Sequence, residues 1–202
     1  MEKTKDKVYL IFNISLVCAL LFGIIIISVL YTTEQTTLDK VRFSYGIDQK
    51  IVEIEKQDEQ RAEEYYDLAG ESYIDQDYKR VISNCEKARD HYSRSGQAYR
   101  ELKSEIEEQT RNELKDLYID LIEEKVIIEM NMFEACEYFE GASKYYDIYY
   151  RVNTPYDDQS HAMGGYEIER MNEKIGSHDL AIERHNVILS KITNEIGNIL
   201  EK

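Results

Sequence analysis

The chain has 202 residues, with 40 Asp and Glu against 25 Lys and Arg, for a net charge of −15. So acidic a surface repels nucleic acid and anionic lipid headgroups, which excludes nucleic acid as a partner and suits cations or basic proteins. One proline, nine glycines, no tryptophan and 17 tyrosines predict an all-α chain of long helices with few turns, and no sustained period-two alternation signals a strand.

Residues 1–7 carry Lys3, Lys5 and Lys7 and are expected to stay cytoplasmic. Val8–Tyr31 follows without one charge. As a helix it is about 36 Å long, enough for a hydrocarbon core of about 30 Å. Tyr9 and Tyr31 stand near its ends, where amphipathic rings favour the headgroup layer. Lys40 and Arg42, behind the stretch, are diluted by Glu34 and Asp39. The basic excess in front predicts a cytoplasmic N-terminus and an extracytoplasmic body. The apolar run exceeds the about 7–15 residues of a signal-peptide core, and SVLYTTEQ offers no A-x-A cleavage pattern. The expectation is therefore an uncleaved, single-pass signal anchor. Cys18 lies mid-span behind Ser15-Leu16-Val17, a poor lipoprotein box. Asn13, Ser15 and Gly23 suit helix–helix contact in a bilayer and are tolerated equally by a solitary span.

Residues 32–202 hold nearly all the negative charge and suffice for one domain. Four amphipathic segments are predicted there, forming an antiparallel up-down four-helix bundle. The first runs from Thr32 to about Ile74, with Ile47, Ile51, Ile54, Tyr65 and Leu68 on one stripe. Its middle, Glu55–Glu64, is almost wholly polar and reads as a solvated or partner-facing section. Asp75-Gln76-Asp77 is a turn. The second segment carries Tyr78, Val81, Cys85, Ala88, Tyr92, Ser95, Tyr99, Leu102 and Ile106 at alternating steps of three and four, a coiled-coil-like seam.

A break is expected near residue 110. Thr110-Arg111-Asn112-Glu113 has the form of a capping box before Leu114, and the seam slips phase there; one continuous helix is the alternative. The third segment runs to about Asn153 on Leu114, Tyr118, Leu121, Lys125, Ile128, Met132, Ala135, Phe139, Ala142, Tyr146 and Tyr149. Lys125, the misfit, is expected to snorkel outward. Thr154–Gly165, with Pro155, Asp157-Asp158 and Gly164-Gly165, reads as a loop. The fourth seam is Ile168, Met171, Ile175, His178, Ile182, His185, Leu189, Ile192, Ile196 and Ile199. Cys85 and Cys136 lie at similar distances from residue 110, hence at one level of an antiparallel pair. An oxidising compartment would allow a disulfide there; two small buried hydrophobes are the alternative.

Tyr65–Tyr92 resembles one tetratricopeptide-type hairpin: Leu68, Gly70 and Tyr73 in a first helix, Asp77-Tyr78, then Glu86-Lys87-Ala88 in a second. It is one residue short between the helices, and no second copy follows at a period of about 34. The resemblance implies a helical protein-interaction module. The overall plan also resembles the external four-helix sensor domains of bacterial transmembrane receptors.

None of His91, His161, His178 and His185 has Glu three residues before it, which excludes the Glu-x-x-His pairs of di-iron bundles. No H-E-x-x-H helix, P-loop, dinucleotide fingerprint, G-x-S-x-G or C-x-x-C occurs. The expectation is a protein without catalysis, cofactor or metal site. His178 and His185 share one face of the fourth helix, where they read as buried neutral histidines with hydrogen-bond partners or as a pH-sensitive seam; Glu134 and Glu137 would face His178 if a metal bound there. In the predicted bundle, residues 65–78 and 145–166 gather at the tip away from the anchor. Tyr65, Tyr66, Tyr73, Tyr78, Tyr145, Tyr150, Tyr156 and Tyr166, with Asp157 and Asp158, form the candidate recognition patch. These features predict a non-catalytic, membrane-anchored interaction or scaffold protein, such as an accessory subunit of a membrane or envelope assembly. A small-ligand sensor domain and a homo-oligomeric structural protein are the alternatives.

Overall fold

The computed structural model describes residues 2–109, 114–151 and 157–200, with side chains described for 22–32, 35–109, 114–151 and 158–199. Among these residues every regular element is a helix. The helices are α1 (Glu2–Ile54), a π-helical turn (Glu55–Glu59), α2 (Gln60–Ile74), α3 (Tyr78–Glu108), α4 (Lys115–Arg151) and α5 (Asp157–Leu200). Contacts divide the chain into two units, Met1–Phe43 and Ser44–Lys202.

The first unit is helical. Its Ile24, Ile25, Ile27, Val29 and Leu30 are exposed, while Ser28 Oγ donates to the carbonyl of Ile24 at 2.8 Å and Thr32 Oγ1 to that of Ser28 at 2.9 Å. Among the described residues no helix is long and apolar enough to cross a membrane. The expected anchor is therefore not found among them; the side chains of Val8–Leu21 lie outside the described residues.

In the second unit each helix packs on the next, α2 on α3, α3 on α4 and α4 on α5. Cross-links fix the directions. Asp58 meets Arg94 while Lys50 meets Glu105, Ser95 meets Glu129 while Lys103 meets Glu123, and Lys174 meets Glu134 while Arg184 meets Glu124. Successive helices therefore run antiparallel. Among the described residues no comparable interface joins α2 to α5, and that loosely closed seam positions the candidate site.

The seam expected of α3 is its buried face, with Gly96 added. The α3–α4 break is real, since Gln109 is extended; the capping box at Thr110 lies outside the described residues. On α4, Lys125 does not snorkel outward. It is 6% exposed, because carboxylates meet it inside. Helix α5 starts at Asp157 and carries Gly164 and Gly165 within it, so the expected loop is shorter than its breakers suggest. Of the expected α5 seam Ile192 is buried, but Ile182 and Leu189 are exposed and Ala181 is buried instead. The reason is that α5 leans on α4 and leaves its other flank open.

The α2–α3 turn closes a Schellman motif: Asp77 N–H donates to the Ser72 carbonyl at 2.9 Å and Gln76 N–H to that of Tyr73 at 3.0 Å. Asp77 then caps α3 by accepting from Arg80 N–H at 3.3 Å. The motif puts Gln76 at φ 59°, a left-handed conformation that costs a side-chain-bearing residue about 1–2 kcal/mol. Gln76→Gly is expected to raise stability by about 1 kcal/mol after glycine's own entropic cost, as read by urea denaturation.

Candidate functional site

The π-helical turn Glu55–Glu59 has no apolar residue to bury. One extra residue per turn advances the inward face by one position. Ala62 and Ala69 are consequently buried, and Leu68, expected on the stripe, is 44% exposed. The turn also aims two carboxylates at one cation. Lys125 Nζ donates to Glu55 Oε1 at 2.8 Å and to Glu59 Oε1 at 3.1 Å, while Tyr99 Oη donates to Glu59 Oε2 at 2.8 Å. Asp58 Oδ1 takes Arg94 Nε at 2.9 Å and lies 2.7 Å from His91 Nδ1. The polar section expected to be solvated or partner-facing is thus partly a half-buried ionic network centred on the buried Lys125.

Beside this network a cavity of about 390 Å³ opens between the first rod, the π-helical turn running on into α2, and α5. Glu59, Glu63, Tyr66 and Asp67 form one wall; His178, Ile182 and His185 of α5 form the other. Tyr92 of α3 and Lys125, Ile128, Glu129 and Met132 of α4 form its floor. Its size lies in the small-ligand range. Glu63 and Asp67 are exposed, whereas Glu129 is 1% exposed.

Glu129 is the unusual member. Its Oε2 accepts a hydrogen bond from Ser95 Oγ, but its Oε1 is buried and meets no donor among the described residues. Burial, with the Glu59 charge added, pushes its carboxyl up to about 8, so it holds a proton at neutral pH. Burial also raises Glu63, and Glu59 adds to this. Burial works against the Lys125 ammonium, but Glu59 and Glu55 outweigh it and hold its pKa above the ordinary value. Burial and the neighbouring Lys125 charge lower His185, leaving it neutral near pH 7. For Asp58, the hydrogen bonds from Arg94 and His91 outweigh burial and hold the carboxyl below its ordinary value.

Both histidines of the predicted pH-sensitive seam therefore reach the cavity. Their proposed carboxylate neighbours do not, since Glu134 pairs with Lys174 and Glu137 lines a separate groove beside Arg89 and Arg170. Among the described residues no group of three or more His, Cys, Asp or Glu is placed to hold a metal ion.

The candidate tyrosine patch is divided. Tyr73 and Tyr78 pack on each other and on Tyr146, and Tyr150 stacks on Tyr78 at 5.7 Å. Burial and Tyr146 push Tyr73 up to about 12. His161 packs edge-on against Tyr146 and Tyr149. Tyr66 turns inward onto Phe139, and Tyr65 stacks on His91. Tyr145 is half-buried in the groove beside Arg170, and Tyr166 is exposed. Asp158 is exposed; Tyr156 and the Asp157 side chain lie outside the described residues.

Gly164 lets this cluster form. A Cβ there would meet the Tyr146 ring at 2.9–3.1 Å, whereas one at Gly165 would meet nothing within 4 Å. Gly164→Ala is expected to lose about 1 kcal/mol net, and Gly165→Ala to gain up to about 1 kcal/mol from helix propensity. Paired thermal melts would show shifts of opposite sign.

Cys85 and Cys136 meet in one apolar cluster with Tyr92, Met132 and Phe139, as antiparallel pairing across the break requires. The possible disulfide is not formed; both are free and buried. Burial pushes the Cys85 thiol up to about 12 and raises Cys136 as well, which disfavours the thiolate that disulfide exchange needs.

Sequence reasoning missed Glu129, Glu59 and Glu63 as site residues. One signal was present: a lone lysine on an apolar seam requires carboxylates opposite it, and Glu55–Glu64 is the acidic section at a matching level. Comparison of the chain with protein-family models, with curated proteins and with solved structures finds no match.

Proposed function

We propose that this chain is a non-catalytic, membrane-anchored binding protein whose extracytoplasmic helical bundle holds a small ligand between its first rod and α5. The anchor rests on the uncharged stretch Val8–Tyr31 and the lysines before it. The exposed aliphatic side chains of Phe22–Tyr31 and the hydroxyl groups satisfied within the helix are what lipid demands. The orientation rests on the charge bias.

The observation that carries the ligand reading is Glu129: an ionisable group almost wholly excluded from solvent, one oxygen unpartnered, at the floor of a cavity. An unsatisfied buried polar atom costs about 1–3 kcal/mol, and apolar packing would remove that cost. A ligand that hydrogen-bonds to this carboxyl supplies what the fold lacks. The test is a thermal-shift screen of the full chain in non-ionic micelles against neutral, anionic and amine compounds. It is repeated on Ile182→Trp, which fills the cavity from its rim. Hits that vanish in the filled variant are expected; no hits, or hits that persist in it, would overturn the reading.

A second reading, a protein partner docked at the aromatic end, is favoured by the exposure of Ile74 at 81% and Tyr150 at 56%. A photo-crosslinker placed at Tyr150 in native membranes is expected to capture a partner; recovery of the free chain alone counts against it.

A further inference from the structure

We propose that the cavity receives a short alkyl diamine, one ammonium reaching Glu129 on the floor, the other meeting Glu63 and Asp67 at the mouth. This rests on the ligand reading above and adds the chemical class. The sign of charge comes first. Lys125 is already met by Glu55 and Glu59, and among the described residues no cation lies within ion-pair distance of Glu63, Asp67 or Glu129. Shape comes second. The carbon chain between two ammonium groups needs an apolar wall, which Tyr66 and Met132 provide, and a diamine of four carbons fits within about 390 Å³. Coordination comes third. Among the described residues no three ligating side chains converge, so a bare metal ion lacks the shell it needs there.

The independent observation is the unpartnered Oε1 of Glu129. An ammonium supplies the missing donor and stabilises the carboxylate. Glu129 then passes its proton to buffer while the amine keeps its own. The groups facing it are Glu59 and Glu63 on the first rod, Ser95 on α3, Lys125 one turn back on α4, and His178 and His185 across the cavity on α5. Burial and the Lys125 charge lower His185, and the proton displaced by the entering cation is assigned to Glu129.

The test is isothermal titration of the full chain in non-ionic micelles at pH 7 with 1,4-diaminobutane, 1,4-butanediol and magnesium chloride. Each is run in two buffers of different ionisation heat. The diamine is expected to bind about tenfold or more tightly than the diol and to release close to one proton per chain. Glu129→Gln is expected to lower diamine affinity by about tenfold or more and abolish proton release. Glu63→Gln is expected to weaken binding and keep the release. Equal affinity for diol and diamine, unchanged binding in Glu129→Gln, or equal competition by magnesium would each overturn the assignment. A neutral compound from the thermal-shift screen that still binds Glu129→Gln would sink the diamine and leave the ligand reading standing.

Discussion

Replacing Glu129 by glutamine is expected to remove a loss of stability that the native chain suffers as pH rises. The folded carboxyl holds its proton up to about pH 8, against an ordinary value of 4.5. Between those values the folded state binds more protons than the unfolded chain, so rising pH favours unfolding. Below pH 6.5 the lowered His185 acts with the opposite sign, since its protonation favours the unfolded chain. Well above pH 8.5 the raised Cys85 and Cys136 lose stability in their turn. The clean window lies between, and there the native chain should lose about 2 kcal/mol that the glutamine variant does not. Guanidinium denaturation of both proteins at pH 6.5 and 8.5 reads the difference directly. Parallel losses in the two proteins would show that Glu129 titrates normally.

Replacing Lys125 by methionine is expected to cost about 3 kcal/mol or more. The ammonium, 8% exposed at its side chain, is shared by Glu55 and Glu59, and it lies 5.7 Å from the Tyr99 ring centre. Its loss leaves Glu59, 16% exposed, with the Tyr99 hydroxyl as its one hydrogen-bond partner among the described residues. The large effect comes from the stranded carboxylates, not from net strength of the pair, because a buried ion pair roughly breaks even against a well-packed apolar group. The double variant Lys125→Met with Glu59→Gln should therefore recover much of the loss, a coupling that a double-mutant cycle measures. Additive losses would contradict the pairing.

Helix positions, and the buried face of α3, were legible because both follow from local spacing. Every seam residue from Tyr78 to Ile106 is buried, and steps of three and four need no knowledge of the partner helix. The site was much less legible. The π-turn shifts the inward face by one residue, and no spacing rule places it; hence periodicity alone points Leu68 inward, while Ala62 and Ala69 take the core. Lys125 stood out as a misfit, but local periodicity cannot tell a snorkelling lysine from one met by Glu55 and Glu59 about 70 residues earlier. Glu129 sits one position beyond the seam residue Ile128, where a polar side chain normally reaches water; the width of the α3–α4 contact buries it instead. His178 and His185 were singled out by their shared face, which does line the cavity. The gathering of Tyr73, Tyr78, Tyr146 and Tyr150 followed from helix lengths and turns, whereas the inward turn of Tyr66 depends on Phe139 across the bundle.

The most direct measurement is a carbon-13 NMR titration of the Glu129 side-chain carboxyl in the full chain in non-ionic micelles, assigned by comparison with Glu129→Gln. A midpoint near 8 is expected in the free protein, falling when 1,4-diaminobutane is added. A midpoint near the ordinary 4.5, unmoved by the diamine, would contradict a buried, unsatisfied carboxyl at the floor of a ligand cavity.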